Sequence, residues 1–192
     1  VMSAPAALVI AKIIYPETEN SIMLNELKRN NEKLSSNAME ALGNGATDGL
    51  KLAGNVAAML IAFISIIAMV NYFLSLINLS LDQILGTLFQ PLAWAMGVPW
   101  DQSKTFGMLM GKKIAFTELI AYNDLKELIL TEQISDRTAI IASYALCGFA
   151  NFGSIGIQLG GIGGIAPERK KELSKLALKA MIGGALASWL TA

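Results

Sequence analysis

The sequence predicts an all-α integral membrane protein built from membrane helices, a re-entrant helical hairpin and a broken helix. Three observations carry that expectation. The chain is 54% hydrophobic and 16% charged, with mean hydropathy +0.50, whereas a soluble domain has roughly a quarter of its residues charged. Residues 52–81 contain no charge between Leu52 and Leu81, and a spanning helix needs about 20 apolar residues. Residues 138–167 are uncharged as well, yet carry glycines at 148, 153, 156, 160, 161, 163 and 164 together with Asn151 and Gln158.

The elements follow in order. Residues 1–16 are apolar apart from Ser3 and Lys12 and stop at Pro16, which predicts the end of a membrane helix. Lys12 can snorkel to the interface. Residues 17–51 turn polar and read as a cytoplasmic loop and an interfacial helix, with Asn37 and Glu40 at the spacing of an N-cap and its partner acid. Residues 52–81 are the strongest membrane helix, interrupted by Asn55 and Asn71, for which bonding to neighbouring helices is the simpler reading.

Pro91, Gly97 and Pro99 divide residues 82–103, and Trp94 and Trp100 are the type enriched at membrane interfaces, so an interfacial amphipathic helix is expected there. Residues 104–134 hold two short apolar pieces separated by Lys112 and Lys113. Neither piece can cross alone, and a re-entrant hairpin fits these lengths. Glu118 stands inside the second piece. An acid within a membrane segment is expensive and marks function by default, although a surface position, paired with Lys113 or facing water, is the alternative.

Residues 135–167 predict the broken helix, with Ser135 or Asp136 as its cap and Pro167 as its end. An interior Gly costs about 1 kcal/mol relative to Ala, so this run is too glycine-rich for one uniform helix. Irregular backbone at membrane depth survives only when buried in protein or lining a water-filled cavity. Phe149, Asn151 and Ser154 would then bring a ring, an amide and a hydroxyl to one polar ligand. Close helix packing by the glycines, with Asn151 and Ser154 bonded to neighbours, is the other reading. Residues 168–192 give a basic cytoplasmic loop and the start of the last membrane helix; by the positive-inside rule the bases at 169–171 lie in the cytoplasm.

Composition also excludes classes of function. Fifteen bases balance fifteen acids, leaving no basic surface for a nucleic acid. There is no histidine and a single cysteine, Cys147, so neither a histidine-based catalytic pair nor a His-ligated metal site can be built. Cys147 reads as a small buried hydrophobe, and the chain is not expected to be an enzyme. It opens at Val1 and stops at Ala192 within apolar runs, as a fragment of a longer protein would. Discontinuous elements around a midplane site are the building style of secondary transporters, and this chain has the parts of half of an inverted-repeat transporter.

Specific motifs sharpen this. CGFANFGSIGIQLGGIGGIAPERKKEL at 147–173 strongly resembles the late membrane segment of the concentrative nucleoside transporter family. MSAPAALVIAKIIYPETE at 2–19, NAMEALGNGATDGLKLAGNVAAMLIAF at 37–63, PLAWAMGVPW at 91–100 and TELIAY at 117–122 are similar to its segments, in its order. The resemblance implies a multi-pass cell-membrane symporter, coupled to sodium or protons, assembled as a homotrimer and working as an elevator. It implies that Glu118, Asn151 and Ser154 bind the ribose and that Phe149 packs near the nucleoside. It also assigns residues 52–81 to the scaffold at the trimer axis. The family's second hairpin usually reads Asn-Glu-Phe-Val-Ala-Tyr, and here Thr117 and Leu119 replace the Asn and the Phe. Its first hairpin and the adjoining cation site have no counterpart, so nucleobase contacts and the coupling cation belong outside these residues; no other cofactor is expected. The alternative is a membrane scaffold or interaction subunit without transport activity. The topology can be checked at once: a cysteine at Lys170 should react from the cytoplasmic side, and labelling from outside would reverse the whole order.

Overall fold

The computed structural model describes residues 2–18 and 36–192, and their regular elements are all helical. They are α1 (Ser3–Ile14), α2 (Ala38–Ser75), α3 (Leu81–Ala95), α4 (Trp100–Ala115), α5 (Glu118–Leu130), α6 (Asp136–Leu146), α7 (Phe152–Ile165) and α8 (Lys170–Trp189), with a 3-10 turn at Pro167–Arg169. Most of the polar part of the expected loop, residues 19–35, lies outside the described residues.

Helix α2 is 38 residues long, about 57 Å at 1.5 Å per residue, well beyond a hydrocarbon core of about 30 Å. Among the described residues it is the one helix both long and apolar enough to cross a membrane. The helix expected before residue 52 is continuous with the apolar span and forms the first part of α2. The start is set by Asn37, whose Oδ1 accepts from the Glu40 N–H at 2.8 Å, while the Glu40 carboxylate accepts from the Ser36 hydroxyl and, at 2.7 Å, from the Ser36 N–H. These two donors hold the Glu40 carboxyl below its ordinary range. The cap is therefore complete at neutral pH and weakens as pH falls through that lowered value. The helix ends at Ser75, short of the expected residue 81, and Asn71 bridges the turn: its Oδ1 accepts from the Leu81 N–H at 2.9 Å.

The expected interfacial helix at 82–103 is divided in two. Gly97 takes a left-handed φ of +96°, a conformation glycine adopts without steric cost, and Pro99 caps α4. The first arm of the hairpin thus begins at Trp100, earlier than residue 104. Helix α3 packs closely along that arm. A Cβ on Gly107 would collide with the Gly86 carbonyl oxygen, and one on Gly111 would lie 2.9 Å from Leu85 Cβ.

The second arm, α5, follows after Phe116 and Thr117, and a Lys112–Asp124 ion pair joins the two arms. Phe106, Leu109 and Met110 of α4 form the main core with Ala121 and Leu125 of α5 and Ile141, Ala142, Ala145 and Leu146 of α6. Ser135 caps α6 by accepting from the Thr138 N–H at 3.3 Å. Gln102 accepts from the Ser135 N–H at 3.1 Å, tying this cap to the hairpin.

The glycine-dense part of the broken helix is itself regular helix. Its purpose is close approach: a Cβ on Gly156 would sit 3.1 Å from the Met59 carbonyl oxygen, and one on Gly160 would sit 3.2 Å from that of Asn55. Small residues four apart let two membrane helices bring their backbones together, and here they seat α7 on α2. The break falls earlier, between Leu146 and Phe152.

The expected basic loop at 168–175 is also shorter than its charges implied. Helix α8 starts at Lys170, because Lys and Glu are good helix formers and Arg169 pairs with Glu172 at 2.8 Å on the exposed side. Helix α1 packs on α8 near Gly183, with Ile14 and Ile10 beside it. Lys12 pairs with Glu17 at 3.2 Å.

The α3–α4 seam makes a direct prediction. Gly107→Ala should lower stability by about 1–3 kcal/mol, the usual range for overpacking. Gly54→Ala, where a Cβ meets nothing within 4 Å, should be neutral or stabilising by up to about 1 kcal/mol. Thermal unfolding of the detergent-purified protein distinguishes the two.

Candidate functional site

The non-helical stretch between α6 and α7 is Cys147, Gly148, Phe149, Ala150 and Asn151, and every polar group expected of the site gathers around it. Asn151 is 1% exposed and is the N-cap of α7. Its Oδ1 accepts from the Ser154 N–H at 2.7 Å, and its own N–H donates to Ser154 Oγ at 3.2 Å. This reciprocal capping box satisfies donors that a helix start otherwise leaves free. The Ser154 hydroxyl also donates to the Asn151 carbonyl at 2.6 Å, so Ser154 spends its hydrogen on the cap.

With Oδ1 engaged in the cap, the Asn151 amide directs its NH₂ group away from it. Asn151 Nδ2 donates to Glu118 Oε2 at 3.4 Å, across 33 residues of sequence. Glu118 is half-buried in the first turn of α5. Two helix N-termini therefore converge, and their positive dipole ends favour the carboxylate between them. Glu118 does not form the surface pair with Lys113 that was the alternative; no ion pair among the described residues joins them.

Phe149 is 56% exposed, so its ring is free to lie against a ligand rather than filling the core. Phe152, also in this region, packs with Ala150, Ile114 and Ala185. Cys147 is exposed and not the buried hydrophobe expected, because it is the residue at which α6 ends and the chain turns outward.

Three side chains of this neighbourhood were given no place in the site by sequence reading. Tyr122, the last residue of TELIAY, donates its hydroxyl to the Ser143 carbonyl at 2.8 Å and so ties the hairpin to α6. Lys113 is fully buried; its Nζ donates to the Ala145 carbonyl at 3.0 Å and to Ser188 Oγ at 3.5 Å. Ser188 in turn bonds the Ala145 and Cys147 carbonyls, each at 3.2 Å. A lysine between two short apolar pieces was the available signal for Lys113. The signal for Ser188 was absent, since serine is common in membrane helices.

The larger surface grooves lie elsewhere. One of about 980 Å³ is lined mainly by apolar residues such as Leu79, Ile84, Leu88 and Met108 on the outer side of α3 and α4. Size alone therefore does not mark the site; convergence of polar groups at a helix break does.

The family model for the Na+ dependent nucleoside transporter C-terminus matches residues 1–192. The chain belongs to the concentrative nucleoside transporter family. It is 42% identical to the uncharacterized transporter YutK of Bacillus subtilis, over 100% of this chain and 49% of that protein. It is 41% identical to the nucleoside permease NupC of Helicobacter pylori, over 100% of this chain and 47% of the relative. Its fold matches that of CNTnw in an outward-facing state with TM-score 0.86 at 38% identity, covering 99% of this chain and 47% of that one. Against CNTnw in an inward-facing substrate-bound state the TM-score is 0.72 at 39% identity, covering 98% and 46%. The chain thus spans about half the length of these bacterial relatives. Membership of the concentrative nucleoside transporters places it in a family of membrane proteins, and the all-α architecture with its broken helix is that of the family.

The capping geometry generates its own test. Asn151→Ala should cost about 1 kcal/mol of stability, the usual weight of an N-cap. Asn151→Ser keeps a capping oxygen and should recover most of that loss while still lacking the amide donor to Glu118. Melting curves of the two variants separate these roles.

Proposed function

We propose that the chain is the C-terminal part of a cation-coupled nucleoside symporter whose ribose site is the junction of the hairpin with the broken helix. The observation that carries this reading is the Asn151–Glu118 contact where α5 and α7 begin. Vicinal sugar hydroxyls need both an acceptor and a donor in fixed register, and a carboxylate beside an amide provides them. In a dry site the carboxylate bond is charge-assisted and strong.

In this reading Glu118 accepts from the ribose hydroxyls and Asn151 Nδ2 donates to one of them. Ser154, whose hydrogen is committed to Asn151, offers its remaining lone pair and holds the amide in place. Phe149 lies along the nucleoside. Nucleobase contacts and the site of the coupling cation, sodium or proton, come from outside these residues.

The moving parts follow from the packing. Helix α2 exposes most of its apolar side chains and meets the rest mainly through α7, at glycines where backbone lies on backbone. Phe63 of α2 packs beside Ile155 of α7 in the same seam, and in this reading α2 is a scaffold helix in a multi-pass homotrimer with a transport unit moving against it as an elevator. The higher similarity to the outward-facing than to the inward-facing CNTnw structure supports elements that change relative place between states.

Uptake of labelled uridine by vesicles carrying the full-length parent protein tests this. Glu118→Gln and Asn151→Ser should reach the membrane yet reduce uptake by about 10- to 100-fold, matching about 1.5–3 kcal/mol for a hydrogen bond to a charged group. Nucleosides lacking a ribose hydroxyl should compete correspondingly less well. Wild-type uptake of no nucleoside under either a sodium or a proton gradient would leave a scaffold role instead.

A further inference from the structure

Lys113 poses a question the nucleoside contacts do not answer. Its ammonium is fully buried, and no ion pair among the described residues includes it. A buried charge is costly, and beyond the Coulombic attraction of the Glu118 carboxylate its compensation comes from dipoles. The Ala145 carbonyl at 3.0 Å and Ser188 Oγ at 3.5 Å supply it, and the face of Trp189 lies 5.9 Å away.

These partners have a common origin. Helix α6 stops at Leu146, and a helix end leaves its last carbonyls without partners while carrying the negative end of the macrodipole. Away from water such groups must be met inside the protein. Lys113 reaches them from the hairpin, and Ser188 reaches the Ala145 and Cys147 carbonyls from α8 at 3.2 Å each. Gly148 leaves the room: a Cβ there would lie 2.8 Å from Ser188 Oγ and 3.3 Å from Lys113 Nζ. Carbonyl and hydroxyl oxygens around one positive centre are the surroundings that a free monovalent cation also takes. Here the cation is covalently attached.

We propose that Lys113 is a positioning residue of the nucleoside site, a tethered cation that closes the open end of α6 and thereby holds Phe149 and Asn151 opposite Glu118, in an oxygen shell that accepts a small free cation once the side chain is cut back. The proposal rests on the reading of this break as the nucleoside site. It follows that the coupling cation binds elsewhere, because the shell at this break is already filled.

The experiment uses the full-length protein in vesicles, with uridine uptake measured at equal methylammonium concentrations on both sides of the membrane. Lys113→Met fills similar space without charge and should raise the KM by about tenfold or more, the weight of a lost hydrogen bond to a charged group, with no response to methylammonium. Lys113→Ala should show the same defect and recover towards the wild-type KM with methylammonium, but not with tetramethylammonium at the same ionic strength. Independently of transport, methylammonium should raise the melting temperature of purified Lys113→Ala and leave that of the wild type unchanged. A wild-type KM in Lys113→Met, or no cation response of Lys113→Ala in either measurement, overturns the proposal. If both lysine variants fail to fold, Ser188→Ala decides: an unchanged uridine KM refutes the role, and a raised one in a protein that reaches the membrane supports it. Loss of the nucleoside reading would appear separately, as absent wild-type uptake beside an intact melting response.

Discussion

A helix that stops inside a membrane protein leaves carbonyls and N–H groups that lipid cannot satisfy, and the rest of this structure depends on how the break at residues 147–151 is met. Its two sides are met differently. On the α7 side the Asn151–Ser154 capping box is local, formed by residues three apart. On the α6 side the partners come from distant sequence: Lys113 at the end of the hairpin's first arm and Ser188 near the end of α8. The hairpin, the broken helix and the last helix are thereby fastened to one point.

That fastening explains the form of the polar site. Because the capping box consumes Asn151 Oδ1 and the Ser154 hydrogen, the amide nitrogen is what remains to face Glu118. The carboxylate sits at the first turn of a second helix, so dipoles favour its charge from two directions. Phe149 is exposed because the break turns it out of the core. The directional Asn151–Glu118 contact and the exposed ring two residues before Asn151 are the features on which the proposed nucleoside site rests.

Around this fixed group the packing is of two kinds. The core uniting α3 to α6 interlocks large side chains such as Phe106, Met110 and Leu146. Helix α2 is joined to it through the glycine face of α7, where backbone approaches backbone and Phe63 packs alongside. The same residue type serves opposite ends: glycines press α3 into α4, and glycines keep α7 smooth against α2.

Sequence by itself determined the composition class, the apolar span in α2, the caps at Asn37 and Ser135 and the stop at Pro167, and it singled out Glu118, Asn151 and Ser154, which the fold brings together. Each of these is written in local spacing or in a long uncharged run, where burial and capping rules act over a few residues. It misjudged where regular helix begins and ends. Residues 170–175 looked like a loop because of their charges, yet nothing in them forbids a helix, and propensity carried the element through, while the helix expected before residue 52 runs on unbroken into the apolar span. Only the tertiary structure decided that the glycines of α7 pack instead of unwinding, that Asn71 caps α3, and that Lys113 and Ser188 close the end of α6. Those outcomes depend on which backbones approach one another, and partners separated by 32 and 43 residues leave no pattern in a single chain's order.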